Sequence, residues 1–134
     1  MKPVRQTREG ENGTCWTACI ASILELDHDE VPFFIDEKDF YGATNKWLNA
    51  HNLTIVYFQL DLNPVWPSFF YNCNVWTILT GQSPRNKNWL HAVVGQGLKP
   101  YWDPHPDSSM LVGEPKYIYM IVPCEVKEFN EIIR

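Results

Sequence analysis

Three residue types that cooperate in nucleophilic catalysis stand at intervals a fold could close. Cys15 opens the run CWTACIASILEL at 15–26. That run has no Pro or Gly and is apolar nearly all round, which predicts a central, buried helix over 15–26. Thr14 is placed as its N-cap, with Cys15 in the first turn. There the helix dipole favours a thiolate, and the Cys15 N–H is one of the unsatisfied donors able to hold an oxyanion. The plainer role of a cysteine in an apolar helix is that of a small buried hydrophobe, and Cys19, one turn further in, fits it.

His91 lies in the strand-like segment WLHAVVG at 89–95. On a strand, His91, Val93 and Gly95 share one face. Two roles are open: a core histidine bonded to backbone, or an imidazole that takes a thiol proton. Asp103 follows in YWDPHP at 101–106. A short antiparallel hairpin would bring its carboxylate to the far imidazole nitrogen, fixing the tautomer and stabilising the imidazolium. Asp-Pro is equally ordinary turn chemistry. Gln6 can lend a side-chain amide to an oxyanion hole, or be a plain surface glutamine. Arg85, in SPRNKN at 83–88, can bind a substrate carboxylate bidentately, or simply sit in an exposed turn. His105 and Asp107 lie close to Asp103. His105 can line the site or bind a metal, against the simpler account of a Pro-flanked turn.

The elements that must position these residues follow from pattern. Phe40, Tyr41, Trp47 and Leu48 recur at helical spacing and predict a second helix from Phe40 to His51. LTIVYFQL at 53–60 is β-branched and aromatic and reads as a strand. The Pro- and Asn-rich stretch 61–74 is a connection, with a short helix around Ser68 to Tyr71. Strands are expected at 75–80, 89–95 and 117–122, with a loop at 81–88, a turn at Gly95–Gly97 and a short segment around Lys99 to Asp103. The tail EVKEFNEIIR is a strand end or a short helix. Helices come first and strands after, which predicts an α+β fold with helices packed on an antiparallel sheet.

Composition bounds the rest. At 134 residues, with 45% hydrophobic and 20% charged, the chain is expected to form a single globular domain over 1–134. Trp residues at 16, 47, 66, 76, 89 and 102 supply rings for a core and for the wall of a groove. The net charge is -5, and Arg85, Lys87 and Lys99 make only a scattered trio, which argues against a nucleic-acid partner. No apolar stretch approaches the length of a membrane span, and the N-terminus has no apolar signal core, so no membrane partner and a cytoplasmic location are expected. The cysteines at 15, 19, 73 and 124 are then expected as free thiols. With histidines 28, 51, 91 and 105 they could supply zinc ligands. However, Cys15 and Cys19 do not form a close pair, and no His-x3–5-His pair exists, so neither metal nor cofactor is expected.

GTCWTACIASILEL followed by DEVPFF resembles the cysteine-helix region of small papain-like peptidases. LHAVVG with YWDPHP is similar to the His-plus-Asp segment of the bacteriocin leader peptidases, a branch of that superfamily. TGQSPRN looks like a segment of uncharacterised phage and bacterial members. The resemblance implies a papain-like fold, with Cys15 as nucleophile, His91 as base, Asp103 as orienting acid and Gln6 as the oxyanion residue. It implies a cysteine hydrolase cleaving an amide or peptide bond through an acyl-enzyme, in bacterial cytoplasm or in host cytoplasm if phage-encoded. Deamidation and acyl transfer stay open to the same site. Gln6 stands further ahead of Cys15 than in the family, and residues 52–74 are unmatched. Trp16 replaces the usual Gly of the leader peptidases, which places Trp16 with Arg85 among the candidate substrate-binding residues. The alternative is a non-catalytic peptide- or glycan-binding module on the same fold.

Overall fold

The apolar run condenses into helix α1, Cys15–Leu24, whose residues Trp16 to Ser22 are all buried. The computed structural model describes residues 1–10, 13–62 and 74–124. The short helix expected around 68–71, the tail 125–134 and Cys73 lie outside them. Helix α1 stops short of the expected end because Glu25 adopts a left-handed conformation at φ 58°, and the Leu26 N–H turns back to the Ala21 carbonyl at 2.9 Å.

The N-terminal segment runs back along α1. The Lys2 N–H donates to the Ser22 carbonyl at 2.9 Å, and the Val4 N–H to the Ser22 hydroxyl at 3.0 Å. The Thr7 and Arg8 N–H groups donate to the Thr14 hydroxyl at 2.8 and 3.0 Å. Thr14 therefore does not act as the expected side-chain cap of α1. Its oxygen is spent on the preceding segment, and the first N–H groups of the helix are left without a side-chain partner from it. Gln6 is thereby carried to the start of α1.

Helix α2, Phe40–Asn49, is capped by Asp39, whose carboxylate accepts the Gly42 N–H at 3.0 Å. It turns Thr44 and Leu48 inward. It ends before the expected His51, and the chain reverses at Asn52 with φ 60°. The strands are β1 (Leu53–Gln59), β2 (Trp76–Gln82), β3 (Leu90–Gln96), β4 (Lys99–Trp102) and β5 (Val112–Pro123). They form one sheet in the order β1-β5-β2-β3-β4, with every neighbouring pair antiparallel. The architecture is α+β, with α1 packed on β3 and α2 on β1.

Strand alternation splits the core in two. Ala92 and Val94 of β3, with Ile55 and Ile78, face Trp16, Cys19, Ile20 and Leu48 of the helices. Val93, Leu79, Ile118 and Leu60 pack together in a second cluster. Burying each of these large side chains contributes about 1.5–3 kcal/mol. Two strands run longer than expected. β2 continues through Gly81 and Gln82, which pair with His91 and Leu90. β5 begins at Val112, and its pairing with β2 shifts register between Thr80 and Gln82. Gly113 (φ 71°) and Pro115 fall in that irregular stretch, where a missing ladder bond costs little. β3 and β4 form a hairpin about Gly97, whose φ of 58° suits a residue without a Cβ. The hairpin pairs the end of β4, Trp102, with Val94, and Asp103 continues from there toward the start of β3.

Candidate active site

His91 is the second residue of β3, opposite Gly81 of β2, and only 4% exposed. Its Nε2 lies 2.7 Å from Asp103 Oδ1. The imidazole and the Cys15 side chain line the same two hollows. Nε2 is taken by the carboxylate, which leaves Nδ1 for the thiol. Residues from the start of α1, the start of β3 and the end of β4 thus meet at one end of the sheet.

The carboxylate is held from three directions. Asp103 is 1% exposed. Oδ1 accepts the His105 N–H at 2.9 Å as well as His91, and Oδ2 accepts the Met110 N–H at 2.8 Å. Burial disfavours its charge, but the His91 contact and these two backbone donors outweigh it and hold the carboxyl below the usual range. His91 is the mirror case. Burial pushes it down, yet Asp103 and then Cys15 raise it from 6.5 to about 9. The imidazolium is therefore the form this pocket stabilises.

The other sequence-predicted residues sit around this centre. Gln6 lines a cavity with Cys15 and His91. Its Nε2 donates to the Arg8 carbonyl at 2.8 Å, and its buried Oε1 has no partner. Arg85 lines the same cavity, but its Nη1 is bound to both oxygens of Asp107 at 3.0 and 2.9 Å and to Ser109 Oγ at 3.2 Å. The backbone N–H of Ser109 and the Arg85 charge keep Asp107 ionised, well below the ordinary carboxyl range. Trp16 is 4% exposed. Its ring is wedged between Phe40 and Tyr119, with Nε1 donating to Thr44 Oγ1 at 2.9 Å. It is chiefly a core residue that shows its edge to a second cavity. His105 closes the first cavity, where its Nδ1 accepts the Asp107 N–H at 3.1 Å and its Nε2 faces Glu9 at 3.7 Å. Among the described residues no group of three or more His, Cys, Asp or Glu side chains is placed to hold a metal ion.

Two hollows of unequal size flank Cys15 and His91. One is a small, largely polar cavity of about 50 Å³ against Gln6, Gly13, Ser83, Arg85 and His105. The other is an apolar hollow of about 320 Å³ walled by Trp16, Phe40, Trp89, Leu90 and Tyr119. Ile35, Trp89 and Leu90 border both.

Sequence reasoning missed Arg5. Its Nη1 donates to the carbonyls of Asp103 at 3.1 Å and His105 at 2.8 Å. Its guanidinium stacks on Trp102 at 4.3 Å. It clamps the loop that carries the acid, next to left-handed backbone at Ser108 (φ 55°) and Met110 (φ 65°). No local signal marks such a residue, because both carbonyls lie about a hundred positions away.

No family model, curated protein or solved structure matches this chain.

Proposed function

We propose that this protein is a cysteine hydrolase of the papain-like kind, acting on an amide or peptide bond. The observation that carries the reading is the meeting of Cys15 with the buried His91–Asp103 pair, assembled from three separate elements. A structural histidine needs one good acceptor. His91 has an anchored carboxylate on one nitrogen and shares two hollows with a part-exposed thiol.

The chemistry follows from this placement. The Cys15 sulfur, as thiolate against the His91 imidazolium, adds to the substrate carbonyl carbon and forms a tetrahedral oxyanion. Donors for that oxygen are the backbone N–H at the start of α1, which Thr14 leaves uncapped, and the Gln6 amide, which spends one N–H on Arg8 and has a second to offer. The intermediate collapses as His91 gives its proton to the departing amine, leaving a thioester on Cys15. Water then adds to the thioester carbonyl, losing a proton to His91. The carboxylic acid leaves and the thiolate–imidazolium pair is regenerated. Asp103 holds the ring and its positive charge throughout. An amine in place of water gives acyl transfer at the same centre.

The test is the rate of iodoacetamide alkylation at each cysteine, resolved by peptide mass spectrometry from about pH 5 to 9, which brackets an ordinary thiol pKa. Cys15 is expected to react fast at the acidic end and to lose that advantage in His91→Ala. Equal rates at Cys15 and Cys124, unchanged by His91→Ala, would overturn the proposal.

A further inference from the structure

The small polar cavity beside Cys15 is bordered by Arg85, from the loop between β2 and β3, and by His105, from the loop after β4. His105 is 8% exposed. Its Nδ1 accepts the Asp107 N–H at 3.1 Å, which puts the ring proton on Nε2. The Glu9 carboxylate lies 3.7 Å from that nitrogen, too far for a hydrogen bond. Arg85 uses Nη1 for Asp107 and Ser109. Its Nη2 and Nε donate to nothing among the described residues. The third polar group, Ser83 Oγ, accepts the Arg85 backbone N–H at 3.2 Å, so its O–H is left to donate. Of the acids nearby, Asp103 is engaged by His91, His105 and Met110, and Asp107 by Arg85 and Ser109. Glu9 has a side chain 59% exposed. Unused donors therefore gather in one cavity, with a guanidinium among them.

We propose that this cavity binds a substrate carboxylate lying within one residue of the attacked carbonyl. The donors fix the charge and the size fixes the distance. A cavity of about 50 Å³ has Cys15 and Arg85 in the same wall. It has room for about three waters, the size of a carboxylate and little more. A planar guanidinium face suits that group. Two sources present it at this distance: the free C-terminus of a single small leaving residue, or an acidic side chain on the residue whose carbonyl is attacked. The inference rests on the hydrolase reading for the bond that is cut, and on the cavity alone for the carboxylate.

The first test compares iodoacetate with iodoacetamide at Cys15 at neutral pH. The two reagents differ in one charge, carried next to the sulfur. The His91 imidazolium also attracts iodoacetate, so the share of Arg85 is read from variants. Arg85→Gln is expected to lower the iodoacetate-to-iodoacetamide rate ratio by about fivefold. Asp107→Asn breaks the same ion pair but leaves the guanidinium unneutralised, and is expected to raise the ratio by about twofold. A purely structural pair would move both variants the same way. That result, or an unchanged ratio in Arg85→Gln, would overturn the inference. The second test is calorimetric binding to Cys15→Ala protein of N-acetyl-Ala-Gly, its C-terminal amide, and N-acetyl-Glu-Gly amide. A gain of about fivefold or more over the neutral amide by the free acid assigns the cavity to a C-terminus, and the same gain by the glutamyl amide assigns it to an acidic side chain. Equal binding of all three would overturn it. Failure of the hydrolase reading is visible separately, as an ordinary pH profile of alkylation at Cys15 in protein whose rate ratio still shifts in opposite directions in the two variants.

Discussion

Two thiols on α1, one turn apart, live in opposite surroundings. Cys19 is fully buried among Trp16, Ile20 and the sheet. Burial pushes its thiol well above the ordinary range, and the neighbouring charges of Cys15 and Asp103 push the same way. Cys15 is part-exposed, shares its surroundings with a histidine pushed up to about 9, and is open to hollows on either side. Residue type and helix are the same. The difference is made by what the sheet brings to the first turn, and it needs both His91 and the carboxylate behind it.

Removing that carboxylate's full charge should nearly erase the difference. Asp103→Asn offers one acceptor oxygen in place of two, against three donors from His91, His105 and Met110. Alkylation of Cys15 near pH 6 is expected to fall by about tenfold or more, because the imidazolium loses its largest support. Stability should change with it. His91 is raised from 6.5 to about 9, so its contribution is fully present below 6.5 and is lost as pH rises through about 9. Urea unfolding of the wild type should therefore weaken between those values, and in Asp103→Asn that decline should flatten. An unchanged decline in the variant would show that the carboxylate does not hold the proton on His91.

Much of this contrast was legible in the sequence, for physical reasons. An apolar run without Pro or Gly has one stable solution, a buried helix, and α1 lies where the pattern put it. The Gly97 turn and the β-branched run before it specify a hairpin, and a hairpin puts Asp103 beside His91. What the pattern could not show is set by tertiary context. Thr14 has the chemistry of a cap, but the segment at 7–8 competes for its oxygen and wins. Gly113 and Pro115 lie ahead of the strand expected at 117–122, and a register shift lets them sit inside β5. Trp16 reads as a groove residue, and most of its ring went to the core because Phe40 and Tyr119 close on it. The Met110 N–H that holds Asp103 depends on a left-handed backbone at a non-glycine residue, which no spacing rule anticipates.

Arg5 tests how finely the first turn depends on its support. It touches neither Cys15 nor His91 by hydrogen bond, but fixes the two carbonyls that flank the acid. Arg5→Ala is expected to slow Cys15 alkylation by about three- to tenfold and to move the pH midpoint of that reaction, through a less anchored Asp103. Arg5→Lys restores the charge without the planar guanidinium that stacks on Trp102, so it should recover only part of the rate. A lower melting temperature with an unchanged pH midpoint would make Arg5 a purely structural clamp.

The smallest effect is expected at the second thiol. Cys19→Ala removes one buried sulfur from the helix–sheet core and should cost about 1 kcal/mol, the scale of a small unfilled void. The Cys15 alkylation profile should stay as it is, because burial keeps the Cys19 thiol protonated and it hydrogen-bonds none of Cys15, His91 and Asp103. The measurement is a pair of curves on one protein, denaturant unfolding and Cys15 reaction rate against pH. A large shift in the second curve with little change in the first would mean that the two turns of α1 are coupled. The contrast between the thiols would then belong to the helix as a whole and not to the groups gathered at its start.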